Sequence, residues 1–238
     1  NVTVNEYGNS VLTTERLALE SLSAIDPAVA DMLSFNMRDS LDAFVWAKLT
    51  ALATGRFTGS TTSDETTING ENVSASTTAP NITAALARKA VAKLRGASVQ
   101  PRDGGFYTAL IHPDVSFDLR SESSSNGNTP WQLPHTYTEA GVGNLWNGEI
   151  GIFDQIRYIE TPRAEKLSGT GTSKVYGTVI LGKQALVEAV SYEPKTVIGP
   201  VTDKLMRFRP AGWKGLLGWN VYRPEARYVI QTKSSIAS

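Results

Sequence analysis

Residue types able to do chemistry are scarce in this chain. There are two histidines, His112 and His135, and no cysteine. The missing thiols exclude disulfides, thiolate zinc sites and cysteine nucleophiles. In His112-Pro113-Asp114 a carboxylate stands two residues from an imidazole, and Asp118 follows. A hydrolase using His112 with Asp114 or Asp118 is therefore the acid–base reading that the residues allow. The plainer reading is that Pro113-Asp114 ends a strand and starts a turn. His135 stands in a Pro-rich stretch, Trp131-Gln132-Leu133-Pro134-His135, and reads as a surface residue. Asp26, Asp31, Asp39 and Asp42 fall in a helical pattern; the four do not share one face and lack calcium-loop spacing, so they read as a solvated surface. Gly169-Thr170-Gly171-Thr172-Ser173-Lys174 lacks the spacing of a phosphate loop and leads into a strand rather than a helix. Asn72-Val73-Ser74 and Asn81-Ile82-Thr83 match the glycosylation acceptor pattern, as a chain rich in Ser and Thr does by chance. No catalytic, cofactor-binding or metal-binding residue is expected, and no cofactor.

The chain of 238 residues is 41% hydrophobic and 19% charged, long enough for one large or two intimately joined domains. No run of apolar residues is long enough to span a membrane, and the first residues lack the pattern of a signal peptide. Without an initiator Met, and beginning inside a strand pattern, the chain is expected to continue upstream of Asn1. Its net charge is zero, but residues 1–80 carry 4 basic and 10 acidic residues against 19 and 13 in residues 81–238. Oppositely charged halves suit self-association, although halves of one domain often differ this much. From Lys195 to Lys233 eight basic residues face two acidic ones, interleaved with Trp213, Trp219, Tyr222 and Tyr228. That mixture reads either as a nucleic-acid stacking surface or, given strand alternation, as core and subunit contact.

Periodicity supplies the elements that would position these residues. Residues 2–12 read as a strand kinked at Tyr7-Gly8-Asn9, and Thr14–Ser23 as a short helix. Asp26 as N-cap, Pro27 at the first helical position, apolar residues at spacings of three and four, and Gly55 as the stop predict a helix over 27–53. At 1.5 Å per residue it would be about 40 Å long. Residues 56–80 are a polar loop or weak hairpin. Asn81 is placed as the cap of a second helix, Ile82–Arg95, closed by Gly96. Strands follow at Phe106–Ile111, at Gly148–Ile156 continuing through Arg157–Glu160, at Val175–Leu181, briefly at Gln184–Val190, and then at Leu205–Phe208, Leu216–Tyr222 and Arg227–Thr232. Residues 121–130 and 165–174 read as loops. The class is α+β. The tripeptide His112-Pro113-Asp114 also occurs in chaperone J-domains, but there it lies between two helices, whereas here a strand precedes it.

The order of motifs adds a resemblance. The long helix leads to Gly105-Phe106-Tyr107-Thr108-Ala109-Leu110-Ile111-His112-Pro113. Next come Gly148-Glu149-Ile150-Gly151, Glu160-Thr161-Pro162-Arg163-Ala164 and Leu181-Gly182-Lys183-Gln184-Ala185. In this order, over essentially the whole chain, they resemble the major capsid proteins of tailed bacteriophages, whose fold encapsulin shells share. The resemblance implies a peripheral domain with a spine helix at about 27–53, an axial domain, and part of an extended loop. On that map residues 1–13 are the returning strand of the extended loop, 14–79 with 191–238 the peripheral domain, and 80–190 the axial domain. The outgoing strand of that loop and the N-terminal arm of the family are lacking. The implied function is self-assembly, as hexamers and pentamers, into an icosahedral virion shell around double-stranded DNA, held on the inner face without sequence specificity. Scaffold, portal or decoration proteins are possible further partners, a membrane is not one, and assembly is expected in the host bacterial cytoplasm. An encapsulin-type compartment is the alternative.

Overall fold

A computed structural model describes residues 1–21, 25–50, 56–58, 81–102, 104–122, 149–164, 166–167, 175–200, 203–205 and 207–236. The described chain forms two compact units, Asn1–Lys48 with Leu186–Asn220, and Leu49–Ala185 with Val221–Ser238. No described helix is long and apolar enough to cross a membrane.

The first unit sets a long helix on a three-stranded sheet of order β1-β9-β8, with β1 at Asn5–Thr14, β8 at Leu186–Ile198 and β9 at Phe208–Val221. β1 pairs antiparallel with β9 along its whole length, Asn5 opposite Leu217 and Thr14 opposite Phe208. The expected kink at Tyr7-Gly8-Asn9 is not formed. Gly8 lies in the unbroken strand, and a Cβ there would sit 2.7 Å from the Trp213 carbonyl oxygen, so glycine serves close approach of β9 and not a turn. Thr14 then caps α1 (Glu15–Glu20), its Oγ1 accepting from the Leu17 N–H at 3.3 Å.

The long helix, α2, runs Ile25–Thr50. Asp26 and Pro27 thus lie inside its first turn and not at its border, while the expected stop at Gly55 lies outside the described residues. Its inner side carries Leu33, Asn36 and Phe44. The Phe44 ring lies 4.4 Å from Tyr7 and 6.5 Å from Trp219, measured between centroids. Asn36 Oδ1 accepts from Asn9 Nδ2 at 3.0 Å and from Trp213 Nε1 at 3.1 Å, which fixes helix and sheet in one register. β8 is longer than the brief strand expected at Gln184–Val190. Pro194 and the charges around it hide the extension, yet an edge strand tolerates proline because its outer side needs no donor. The separate strands expected at Leu205–Phe208 and Leu216–Tyr222 are replaced by the single strand β9.

The second unit is built on a seven-stranded sheet of order β2-β10-β7-β3-β5-β4, with β6 also paired to β7. The strands are β2 (Arg56–Thr58), β3 (Tyr107–Ile111), β4 (Glu149–Phe153), β5 (Ile156–Glu160), β6 (Lys166–Leu167), β7 (Val175–Leu181) and β10 (Arg227–Lys233). β3 runs parallel to β5, and β7 antiparallel to both β3 and β10. β10 therefore belongs to this sheet, although the sequence map grouped it with the long helix. It follows β9 almost directly in the chain, which is why sequence order misplaces it. The interior holds Tyr107, Ala109, Ile111, Ile156, Tyr158, Tyr176, Ile180 and Ile230.

Helix α3 spans Ala84–Gly96 and buries Ala84, Ala87, Ala90, Val91 and Leu94. Its cap is Thr83 and not Asn81: the Thr83 hydroxyl accepts from the Leu86 N–H at 3.4 Å, and the Glu122 carboxylate accepts from the Ala84 N–H at 2.6 Å. Past its end the left-handed residue is Ser98 (φ 55°) and not Gly96. Helix α4 (Pro113–Ser121) follows β3 directly, as the Pro113-Asp114 start suggested. The described parts of 56–80, 121–130 and 165–174 are Arg56–Thr58, Ser121 and Glu122, and Lys166–Leu167, so those loop expectations lie mostly outside the described residues.

Candidate functional site

His112 is the N-cap of α4. Its Nδ1 accepts from the Asp114 N–H at 3.2 Å, its ring stacks on Tyr176 at 4.5 Å, and it is 7% exposed. An Nδ1 that accepts a backbone proton places the imidazole proton on Nε2. Asp114 accepts from the Tyr176 hydroxyl. Burial, then the hydrogen bond to Asp114 and its charge, push the Tyr176 phenol up to about 12. Asp118 accepts from both the backbone N–H and the hydroxyl of Ser235, and the Ser234 hydroxyl donates to the Asp114 carbonyl at 2.8 Å. Ser116 Oγ bonds Glu160 and the Pro113 carbonyl. The structure thus brings His112, Asp114 and Asp118 into one cluster, but their polar atoms are engaged in capping α4 and in holding the segment after β10. The cluster can position backbone: its carboxylates are turned to phenol, hydroxyl and amide donors, with the Asp114 carboxylate 3.5 Å from His112 Nδ1.

The other residues singled out by sequence scatter. Asp26, Asp31 and Asp42 are exposed along α2 and Asp39 is half-buried. Among the described residues no group of three His, Asp or Glu side chains could hold a metal ion. His135, residues 169–174 and the Asn72 acceptor lie outside the described residues. Asn81 is half-buried in a β-bridge. Of the suspected stacking aromatics, Trp213, Trp219 and Tyr228 are buried, and only Tyr222 is open, at 63% exposure. The Trp219 Nε1 donates to Glu188 at 3.0 Å. Core contact, not a stacking platform, is their role.

Two buried polar arrangements were not singled out from sequence. Arg157 and Glu149 form an ion pair, Nε to Oε1 3.4 Å, with side chains 8% and 1% exposed. Arg227, buried in β10, donates from Nη1 to the Leu49 carbonyl at 2.7 Å in the last turn of α2. The signal for both was a charged residue inside an apolar strand pattern, Ile156-Arg157-Tyr158 and Ala226-Arg227-Tyr228. These pairs hold elements together.

With this geometry in hand, comparison with known proteins is decisive. The profile of a family described as phage capsid protein matches residues 43–225, well over half of the chain. The chain belongs to the phage capsid protein family. Solved structures agree on the fold of this capsid protein. The capsid of Ralstonia phage GP4 superposes with a TM-score of 0.75 at 12% identity, covering 98% of this chain and 74% of that one. The cyanophage Pam1 capsid gives 0.69 at 15% identity, covering 98% and 76%. The acid-stable capsid of Helicobacter pylori bacteriophage KHP30 gives 0.65 at 18% identity, with the same coverages. No curated protein matches the chain significantly. The α+β tailed-phage capsid fold implied by the motif order is therefore the fold found, and this capsid protein is a structural shell subunit of a virion that associates with copies of itself.

Proposed function

We propose that this shell protein assembles through hexamers and pentamers into an icosahedral capsid around double-stranded DNA, and that assembly takes place in the host bacterial cytoplasm. The family match across residues 43–225 carries this reading. On it, the unit of α2 with the β1-β9-β8 sheet is the peripheral domain, and the seven-stranded unit is the axial domain. Packaged DNA meets the inner face through phosphates alone, without base contacts, and scaffold, portal and decoration proteins are its further partners. His112, Asp114 and Asp118 serve packing and not turnover, a reading supported by the engagement of all three within the α4 cluster. Electron microscopy of the purified full-length product tests the assembly, with closed shells as the expected result. A monodisperse monomer under every assembly condition would overturn it.

A further inference from the structure

The three-stranded sheet of the first unit turns one face to α2, where Tyr7 meets Phe44 and where Asn9 and Trp213 meet Asn36. Strand alternation turns Gly8, Ser10 and Leu12 of β1 the other way, with Lys214, Gly212 and Pro210 opposite them on β9. The Gly199 N–H donates to the Pro210 carbonyl at 2.9 Å. Counting back along the antiparallel pair from there sets Val197 of β8 opposite Gly212 and Lys195 opposite Lys214. On this second face Gly8, Ser10, Leu12, Lys195, Val197 and Lys214 are exposed. An open groove of about 330 Å³ crosses it, lined by Gly8, Ser10, Val197, Pro210, Gly212 and Lys214 and by no described residue of α2. Its floor is bare by necessity at Gly212, where a Cβ would sit 2.7 Å from the Asn9 carbonyl oxygen.

Lys195 and Lys214 set two positive charges side by side across the strand pair, an arrangement that is unfavourable by itself. Both ammonium groups lie over one ring, that of Tyr192, at 4.7 and 5.8 Å from its centroid. Among the described residues that ring is their partner, and no carboxylate neutralises either of them. A groove with an apolar wall that ends in two such ammonium groups fits a peptide presenting an apolar side chain beside a carboxylate. Phosphates of a nucleic acid would meet the lysines but leave the groove unfilled.

Helix α1 of the same unit presents that combination. Leu19 is 79% exposed, and Glu15, four residues earlier, projects from the same side of the helix about 6 Å away. Glu20 is held by Arg16 at 2.8 Å, whereas Glu15 is exposed and makes no ion pair among the described residues. We propose that α1 of one copy docks on the open sheet face of a second copy, with Leu19 in the groove and Glu15 against Lys195 and Lys214. The proposal rests on the shell reading and names one contact within it. Each copy carries both halves, so the contact repeats head to tail and closes by rotation, as a ring requires. The charges set its orientation and encounter rate more than its affinity.

These 238 residues hold no cysteine, so introduced thiols report the contact directly. Full-length Glu15→Cys/Lys214→Cys, treated after assembly with a short bis-maleimide, is expected to give a ladder of covalent oligomers on a denaturing gel. Either cysteine alone is expected to give nothing beyond a dimer. Independently, Leu19→Ser and Lys195→Glu/Lys214→Glu are each expected to lower the yield of assembled particles about tenfold, read by sedimentation and electron microscopy. Adding Glu15→Lys to the lysine pair swaps both signs, and the yield is expected to return to within about threefold of the wild type. If the charge-reversed chain fails to fold, as judged by circular dichroism, Lys195→Gln/Lys214→Gln replaces it, with a smaller loss expected. Assembled shells without the ladder, wild-type yield from Leu19→Ser or from a lysine pair, or a swap that restores nothing each overturn the contact. Shells that form normally from the lysine pair but lose DNA also overturn it, assigning the lysines to the nucleic acid. Wild-type protein that never assembles overturns the shell reading itself, which separates the two failures.

Discussion

Arg157 and Glu149 show what a single buried charge costs. Each is almost wholly removed from water, and each faces the other's charge. Arg157→Met alone takes away the cation that the buried Glu149 carboxylate faces and is expected to lower stability by about 3–5 kcal/mol. Glu149→Leu combined with Arg157→Met removes both charges, and the double variant should lie far closer to the wild type. Denaturant unfolding of the wild type and these two variants checks this; a double variant as unstable as the single one would refute it. Tyr176 gives a pH dependence. Its phenol is raised from 10.0 to about 12 by burial and Asp114, so the folded state retains the proton when the unfolded chain has lost it. Stability is full below pH 10.0 and falls as pH rises toward about 12. Tyr176→Phe should flatten that fall, read as the urea midpoint against pH.

At the scale of the element, turns and caps give sharper expectations than helix bodies do. Asp154 and Gln155 join β4 to β5 with φ of 48° and 64°, both left-handed. A two-residue hairpin loop of this kind favours glycine at its second position. Gln155→Gly is therefore expected to raise stability by about 0.5–1 kcal/mol, measured by thermal unfolding. Thr83→Ala removes the α3 cap and should cost about 1 kcal/mol. Asn81→Ala should leave the cap intact. Equal losses in the two variants, by the same measurement, would show that the cap is shared. The pair also marks where sequence reasoning slipped. Asn81 and Thr83 are both good caps, and the choice fell to Thr83 because the helix begins at Ala84, which leaves the Thr83 backbone extended and its hydroxyl within reach of the Leu86 N–H.

The whole molecule has zero net charge divided between an acidic amino-terminal third and a basic remainder. Self-association driven in part by that division weakens as salt shortens the screening length, from about 10 Å at 0.1 M to about 3 Å at 1 M. The initial rate of shell formation, followed by light scattering, should fall across that range. A rate that rises with salt would show instead that apolar contact drives association, since neutral salt leaves hydrophobic association intact or strengthens it.

Composition and spacing by themselves determined the α+β class, the long α2, the short α1 with its Thr14 cap, the strands at β3, β5, β7 and β10, and the poverty of reactive groups. These follow from local periodicity and from residue types, which neighbours in the chain settle among themselves. The order of motifs brought in the capsid resemblance. Only the tertiary structure decided that β10 completes the seven-stranded sheet, that β8 runs on through Pro194 as an edge, that β9 is one strand, and that Gly8 keeps β1 straight. Only it engaged His112, Asp114 and Asp118 in one capping cluster and buried Arg157 against Glu149. Each of these depends on a partner far away in the sequence, and pairing across a sheet is a free-energy minimum of the folded chain that no local pattern encodes.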